Sequence, residues 1–406
     1  MRIAFISPWF SEGMGYSENM FPKAMGRLGE EVHLVTSTAQ INCYSPDYDK
    51  TYKSFLGPRT VDPVVRELDG YTLHRLPYHD TKNIYEGPGI TGLYEYLEDL
   101  RPDVVQALEI KLETSYESAR YARDHCRLFL TECHVHASVL WEFPRKPWKE
   151  RLRNWRNVFN PRLRFINTVS RMCYPIADDV VEIAIDHYRV PENKIKMQSL
   201  GVDTYAFTPV SSPEELGARE RIRQEFDLST GDIACIYTGR FTPDKNPHCL
   251  AMAIDHLNEK GLPFKGLFIG NGPEKDVAFI SGMKGCRVAP FVPAKELPAY
   301  YRAAEIGVWP REESTSQLDA AACGLPLILS NRIKVRERVD GNGLLYEEGD
   351  HLDLARQLVQ MQDRGVRRSM SLKGVQKVRE RFSWEKIARD RLADYHAFLN
   401  NQPSQD

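Results

Sequence analysis

The chain has 406 residues, 54 of them basic and 56 acidic, with a formal net charge of −2 at pH 7. A chain of this length usually forms two domains, and its balanced charge excludes a general electrostatic attraction to nucleic acid. An anionic ligand would therefore have to be held by local groups.

The first residues, Met-Arg-Ile-Ala-Phe-Ile-Ser-Pro, form too short an apolar run for a signal-peptide core. No later run reaches the roughly 18 apolar residues of a membrane span. The eight cysteines are scattered without a Cys-x-x-Cys pair, which is typical of reduced thiols. We therefore expect a cytoplasmic protein.

Short β-rich runs alternate with helical patterns along the whole chain. The predicted strands are Arg2–Ile6, Val32–Thr36, Val104–Ala107, Leu128–Thr131, Phe165–Val169, Ile233–Tyr237, Gly266–Ile269, Ile306–Trp309 and Leu327–Leu329. Such alternation predicts an α/β protein with parallel sheets and crossover helices.

A turn-rich stretch at 201–213 separates the first five predicted strands from the last four. We therefore predict a first domain at 1–205, a second at 206–383 and a final helical segment at 384–406 that returns towards the first. Both domains should be doubly wound and face each other across a cleft, with ligands at the carboxyl ends of the strands.

Two histidines follow a predicted strand of the first domain. His134 and His136 are two residues apart, so they would share one side if the strand continued. Metal binding is disfavoured because no third ligand has a suitable spacing. A histidine satisfied within the core remains the alternative to a ligand contact.

The segment 145–159 carries six basic residues and one acidic residue, and four large apolar side chains on one helical face. Such a helix could lie on the inner face of an anionic membrane as a peripheral contact. Alternatively, its aromatic face packs on the first domain and its cations are solvated.

The most informative stretch is 237–247 in the second domain. Gly239 follows a predicted buried strand, and Arg240 and Lys245 come directly after it. Glycine permits a sharp turn, and two cations on one loop can converge on one anion. The pattern predicts a diphosphate clamp, although a surface turn with two solvated cations would look the same in isolation.

Further candidate groups follow other strands of the second domain. Gly270, Asn271 and Gly272 form a turn that would bring backbone close to a ligand. Ser314, Thr315 and Ser316 stand where a helix should begin, so they could present amides to phosphate or simply cap the helix. Three carboxylates that would repel phosphate are better suited to accepting hydrogen bonds from sugar hydroxyls: Glu312, Glu313 and Asp319.

The order of these motifs resembles glycosyltransferase family 4, the retaining, nucleotide-sugar-dependent enzymes of GT-B fold. The likeness covers nearly the whole chain. It rests on the Gly13-Met-Gly15 loop, the linker beginning Gly201-Val-Asp-Thr, the Gly-Arg…Lys-Asn clamp, Gly270-Asn-Gly-Pro273, Gly343-Leu-Leu-Tyr346 and the closing Phe-Ser-Trp-Glu.

The resemblance implies that the first domain, 1–205, binds the acceptor and that the second, 206–383, binds the nucleotide-sugar donor. It also implies specific roles for the matching residues. Arg240 and Lys245 would neutralise the donor diphosphate, and the loop from Gly13 to Gly15 would close over it. A histidine at the end of this strand would contact the donor sugar, with His134 as the better match and His136 close behind. The backbone of Phe291 and Val292 would meet the base.

One motif departs from the family pattern of two glutamates separated by seven residues. Asp319 occupies the second place and Arg311 the first, so Glu312 or Glu313 would have to reach the transferred hexose. By resemblance Asp319 would bind the ribose hydroxyls, and the serine and threonine residues at 314–316 would replace a glycine-rich piece.

The resulting expectation is a metal-independent hexosyltransferase without a cofactor. It would use a nucleotide diphosphate sugar, with UDP-glucose as the best guess, and a glycan, lipid-linked or small-molecule acceptor in polysaccharide or glycoconjugate biosynthesis. The alternatives are a GT-B epimerase or phosphorylase, or a non-catalytic nucleotide-sugar-binding subunit. A nicotinamide dehydrogenase is disfavoured because the Gly13-Met-Gly15 loop lacks the third glycine of that fingerprint.

Overall fold

The chain divides into two compact units. A computed structural model describes residues 1–46, 48–81, 87–125, 127–136, 140, 155–311 and 314–401. The first unit combines Met1–Leu200 with Ile387–Asp406, and the second unit is Gly201–Lys386. The sequence predicts these divisions at 205/206 and 383/384.

The first unit is built on a seven-stranded sheet. Its strands are β1 (Arg2–Ser7), β2 (Glu31–Ser37), β3 (Val64–Leu68), β4 (Tyr71–Leu76), β7 (Val104–Ala107), β8 (Leu128–Cys133) and β9 (Cys173–Pro175). The strands β5 (Tyr78–His79) and β6 (Gly89–Ile90) form a separate two-stranded ribbon. The order is β3-β4-β2-β1-β7-β8-β9. Neighbours are parallel except for the antiparallel pair of β3 and β4.

The strand order of the first sheet reverses at β1. The chain runs outward through β2 and β4 on one side and through β7, β8 and β9 on the other. Because crossovers between parallel strands are almost always right-handed, this order is the one that covers both faces of a sheet with helices. The helices before the linker are α1 (Ser17–Arg27), α2 (Tyr48–Thr51), α3 (Lys53–Leu56), α4 (Leu93–Leu100), α5 (Glu113–Asp124), α6 (Pro161–Val169) and α7 (Asp178–Asp186), with a 3₁₀ turn at Glu192–Lys194.

One predicted strand is wrong, because Phe165–Val169 forms the second half of helix α6. Pro161 occupies the first turn, and the Asn160 side chain accepts a hydrogen bond from the Leu163 N–H at 3.2 Å. These are strong helix-start signals. The buried residues Leu163 and Ile166 are three apart, which fits one face of a helix.

The second unit contains a six-stranded, wholly parallel sheet. Its strands are β10 (Ile233–Arg240), β11 (Phe264–Asn271), β12 (Cys286–Ala289), β13 (Ile306–Trp309), β14 (Leu327–Ser330) and β15 (Gly343–Tyr346). The order is β12-β11-β10-β13-β14-β15, so the direction of winding reverses between β10 and β13. The predicted doubly wound layout is therefore confirmed in both units.

Helices precede, connect and follow the strands of the second unit. They are α8 (Pro213–Glu225), α9 (Pro247–Glu259), α10 (Glu274–Gly282), α11 (Leu297–Ala303), α12 (Ser316–Ala322), α13 (His351–Gln360) and α14 (Arg364–Lys377), with a 3₁₀ turn at Arg336–Arg338 and a π turn at Val378–Phe382. The last helix, α15 (Trp384–Asn400), begins where the Ser383 hydroxyl accepts a hydrogen bond from the Lys386 N–H at 3.2 Å. Ser383 therefore caps the start of this helix.

The cysteines within the described ranges are unpaired and buried. In those same ranges, no helix combines the length and the apolar character that crossing a bilayer requires.

Candidate functional site

The carboxyl ends of β10 and β11 meet at a pair of glycines. Gly239 and Gly270 are register partners, with φ angles of 148° and 155°. A Cβ atom on Gly270 would stand 1.8 Å from the Gly239 carbonyl oxygen, and one on Gly239 would stand 2.9 Å from the Tyr237 hydroxyl oxygen. Only glycine therefore permits this approach of the two strands.

The loops that follow these two strands contact each other through a backbone hydrogen bond and close packing. The Phe241 N–H donates to the Asn271 carbonyl at 2.8 Å, and the Asn271 side chain accepts from the Gly272 N–H at 2.8 Å. A Cβ atom on Gly272 would stand 2.5 Å from the Phe241 carbonyl oxygen. The predicted turn from Gly270 to Gly272 therefore packs against the predicted clamp loop.

The two candidate cations lie on that clamp loop. Arg240 is the exposed last residue of β10, and the half-buried Lys245 follows in a turn closed by its own N–H to the Thr242 carbonyl at 3.0 Å. Burial tends to raise the pKa of Asp244, but hydrogen bonds and the charges of Lys245 and Arg240 bring it below its usual value. Both cations thus act on the Asp244 carboxylate, and their convergence on a ligand anion remains a prediction.

The predicted amide cluster lies at the start of α12. Thr315 occupies the N-cap position, but its side chain makes no capping bond. The Ser316 N–H instead donates to the Ser314 hydroxyl at 3.3 Å, and the Arg338 guanidinium donates to the Ser314 carbonyl at 3.0 Å. Arg338 therefore holds the turn that leads into this helix, a contact that the sequence did not suggest.

Asp319 is half-buried within α12 and carries an unusual carboxyl group. Burial, and secondly the charge of Asp203, raise its pKa to about 8. The carboxyl is therefore largely protonated at neutral pH, and it can donate as well as accept a hydrogen bond. A sugar hydroxyl can use either capacity.

The raised pKa of Asp319 predicts a pH-dependent stability. Between the ordinary pKa of an aspartate and about pH 8, the folded protein binds this proton and the unfolded chain does not. The free energy of unfolding should therefore fall as pH rises through that range. The contribution is at most about 1.4 kcal/mol per pH unit. Asp319→Asn should remove this dependence in urea titrations between pH 5 and 9; an unchanged slope would contradict the raised pKa.

The residues expected to meet the base follow β12. Phe291 is 37 % exposed, and Val292 packs against the core of the second unit. Val292 thus anchors the segment and leaves Phe291 at the surface. The backbone role that resemblance gives these residues remains a prediction.

The Gly13–Gly15 loop lies in the first unit, between β1 and α1. Both glycines are exposed. A Cβ atom on Gly13 would stand 3.5 Å from the Phe55 ring, which is an ordinary contact. Gly13 therefore has space for a side chain in the conformation described, and its predicted closure over a donor remains a prediction.

His134 is tightly held at the end of β8. The backbone N–H of His134 donates to Glu109 Oε1 at 2.9 Å, and its ring Nε2 lies 2.8 Å from Glu132 Oε2. Burial alone would lower the pKa of His134, but the hydrogen bond and charge of Glu132 raise it, with help from Glu109 and Glu18. Glu132 therefore holds the imidazole through Nε2, and the surrounding carboxylates favour its cationic form.

Two groups around His134 were not found from the sequence. Burial raises the pKa of Glu109 to about 7, and its Oε2 atom is buried without a hydrogen-bond partner among the described residues. Arg391 of α15 donates to Glu132 Oε1 at 3.1 Å and lies 3.4 Å from the centroid of the Tyr174 ring. Glu109 could have been found from the sequence because it follows the predicted strand Val104–Ala107. Arg391 could not, because it lies too far along the chain to be connected with His134.

The second histidine has a different partner. His136 Nδ1 lies 3.1 Å from Asp179 Oδ2, near the start of α7. Across the parts of the chain that the structure describes, no three His, Cys, Asp or Glu side chains are grouped as a metal site. The absence of a metal in the reaction stays a prediction.

Two further expectations fall wholly or partly outside the described residues. Glu312 and Glu313, the candidates for the first family glutamate, are both among the residues not described. Of the proposed membrane segment 145–159, only the last five residues are described. Its Trp155 and Phe159 are 61 % and 63 % exposed, with ring centroids 5.1 Å apart. Peripheral membrane contact stays a prediction.

Comparison with known proteins shows which domains resemble the part of the chain that contains the predicted clamp. Residues 232–364 match a family model described as glycosyl transferases group 1. A curated D-inositol 3-phosphate glycosyltransferase from Streptosporangium roseum is 29 % identical over 232 residues, which cover 52 % of each chain. The chain spans about half the length of the curated relatives it matches.

Solved structures show the fold of the whole chain. The sucrose-phosphate synthase of Thermosynechococcus elongatus has a TM-score of 0.67 at 18 % identity, covering 99 % of this chain and 100 % of that one. Anabaena HepE, solved in complex with UDP-glucose, has a TM-score of 0.65 at 14 % identity, covering 99 % and 100 %. At such identities the likeness establishes fold alone, and it confirms the expected GT-B class.

Proposed function

We propose that the chain is a retaining glycosyltransferase of family 4 that transfers a hexosyl unit from a nucleotide diphosphate sugar to an acceptor hydroxyl. The observation that carries this proposal is the edge where Gly239 meets Gly270. Arg240 and Lys245 lie on the loop directly after it, within the stretch that matches the glycosyltransferase model.

In this proposal, catalysis consists mainly of stabilising the leaving group. Negative charge grows on the diphosphate as the glycosidic bond breaks, and Arg240 and Lys245 would neutralise it. The amides at 314–316 would add donors. The acceptor hydroxyl would attack the same face that the phosphate leaves and give up its proton to that phosphate, so no metal and no covalent intermediate are required.

UDP-glucose is the first donor to test. The support is indirect, because the structurally similar HepE is solved with UDP-glucose but its 14 % identity to this chain indicates only a shared fold. The acceptor class stays broad, as a glycan, a glycolipid or a small molecule. The named substrate of the inositol phosphate relative makes phosphorylated polyols worth including.

Two other classes of function remain alternatives. A GT-B epimerase or phosphorylase would use the same strand edge but yield different products. A non-catalytic nucleotide-sugar-binding subunit is favoured by one observation, the Arg311 that stands where the family has its first glutamate. Such a subunit would bind the donor and leave it intact.

The test is a calorimetric titration of the full chain with UDP, GDP and ADP and with their glucose and mannose conjugates. We expect one nucleoside diphosphate to bind at least tenfold more tightly than the others. Equal, millimolar affinities for all three would contradict a nucleotide-specific site. Lys245→Ala should weaken the preferred ligand, which ties the binding to the clamp.

Asp319 provides a prediction about the ribose. Asp319→Ala should weaken binding of the preferred nucleoside diphosphate by about tenfold, the loss of one or two hydrogen bonds, and leave the preference among sugars unchanged. The comparison should be made with the 2′-deoxy nucleotide. If the alanine variant still distinguishes ribose from deoxyribose as the wild type does, Asp319 does not read the ribose.

A further inference from the structure

The first unit contains a cavity of about 370 Å³ at the carboxyl ends of β1, β2 and β4. Its lining includes Ser11 and Gly13 from the loop after β1, Gln40 from the loop after β2, and Arg75 from β4. The volume falls within the range of about 300–1,000 Å³ that small-molecule sites occupy. The carboxyl edge of a doubly wound sheet is also where such sites normally form.

Arg75 gives the interior of this cavity a positive charge. The residue is 3 % exposed, and its guanidinium donates to the carbonyls of Ser37 at 3.3 Å and Phe10 at 3.0 Å. Among the described residues, no carboxylate forms an ion pair with it. Burial lowers the pKa of Arg75 to about 10, so it remains a cation at neutral pH. A buried charge is costly unless an opposite charge accompanies it.

The acidic groups of the cavity lie at its rim. Glu12 is exposed and forms an ion pair with Arg66, so the charges of these two side chains cancel. Asp62 is also exposed and therefore solvated. The rim thus offers carboxylate acceptors suited to hydroxyl groups, and the cationic Arg75 lies deeper in the cavity.

The remaining lining completes the chemistry of a binding site. Ser11 and Gln40 are buried and already hydrogen-bonded to each other, with 2.6 Å between Oγ and Oε1. Phe55, Leu56 and Val61 supply an apolar wall. An apolar wall, a hydroxyl-accepting rim and a buried guanidinium together suit a hydroxylated ring that carries one anionic group.

We propose that this cavity is an acceptor subsite for a sugar or polyol bearing a phosphate or carboxylate, whose anionic group pairs with Arg75. The role of this cavity as an acceptor site rests on the proposed transferase function. The binding of an oxyanion to this cavity does not, because it follows from the first unit alone.

The register of β3 and β4 supplies a sharp test. Val64 lines the cavity and is the strand partner of Arg75, whereas its neighbour Val65 pairs with His74 and does not line the cavity. Cross-strand partners interact directly, so Val64→Glu should occupy the guanidinium and exclude a ligand anion. Val65→Glu adds the same charge one residue along the same exposed strand and is the matched control. Both variants preserve Arg75, whose removal could unfold the protein.

The full chain and both variants should be titrated calorimetrically with glucose 6-phosphate, glucuronate and neutral glucose. We expect at least one anionic sugar to bind, about tenfold more weakly to Val64→Glu and unchanged to Val65→Glu, with no comparable binding of glucose. The stronger of the two anionic ligands identifies phosphate or carboxylate. The proposal is overturned if neither anion binds or if both variants lose binding equally. It is also overturned if Lys245→Ala abolishes anion binding and Val64→Glu leaves it unchanged.

A parallel titration with UDP separates the two proposals. Anion binding that depends on position 64, without nucleotide binding, would support the subsite and refute the transferase. Nucleotide binding without an anion effect at position 64 would do the reverse.

Discussion

Lys245→Ala is expected to reduce sugar transfer by about 100- to 1,000-fold while the second unit remains folded. In the proposed reaction the departing diphosphate gains negative charge, and removing one positioned cation raises that barrier. The fold should survive because Lys245 is half-buried in a loop outside the core of the unit. Initial rates with the preferred donor measure the first effect, and thermal unfolding followed by circular dichroism measures the second.

The matched control for this experiment is Lys260→Ala. Lys260 is exposed at the other end of α9, the helix that begins just after the clamp loop. It carries the same charge, so its removal should leave the transfer rate within about twofold. Near-normal turnover by Lys245→Ala, or equal losses in the two variants, would refute the clamp.

Arg391→Met is expected to destabilise the first unit by about 3–5 kcal/mol, the usual cost of removing one partner of a buried ion pair. Arg391 is 2 % exposed and donates to Glu132 at 3.1 Å and to Gln106 at 2.9 Å. Without it, the buried Glu132 carboxylate lacks its guanidinium partner. Urea unfolding followed by far-UV circular dichroism measures the loss.

Two further variants identify the cause of this loss. Arg389→Met removes an exposed arginine from the same helix and should cost less than about 1 kcal/mol. Adding Glu132→Gln to the Arg391→Met variant should recover part of the stability, because it removes the unpaired charge. A full loss in Arg389→Met, or no recovery in the double variant, would mean that packing rather than charge pairing dominates.

The sequence predicts the four central strands of each sheet because these strands are largely buried, and it misses the outer strands β3, β4, β9, β12 and β15. The residues of β1 and β10 read as nearly continuous apolar runs, and the glycines at 239 and 270 mark where β10 and β11 end. Phe165–Val169 is the informative error: an apolar run of that length is compatible with either state, and the capping by Asn160 and Pro161 decided for helix.

Local pattern could not predict the long-range electrostatics. Arg391 reaches Glu132 across 259 residues of sequence, and nothing near either residue indicates the pairing. The raised pKa of Asp319 likewise depends on burial and on Asp203, which belongs to the linker. The sequence alone indicated the position of Asp319 but not its protonation state.

The most direct test of the central claim is to incubate the full chain with its preferred nucleotide sugar, labelled with ¹³C in the hexose, and a glycan and lipid extract, and to analyse the products by mass spectrometry and NMR. We predict a labelled hexosyl product whose anomeric configuration matches the donor and whose formation is lost in Lys245→Ala. A donor that binds but is recovered intact, with no labelled product, would contradict the transferase and support a non-catalytic binding subunit.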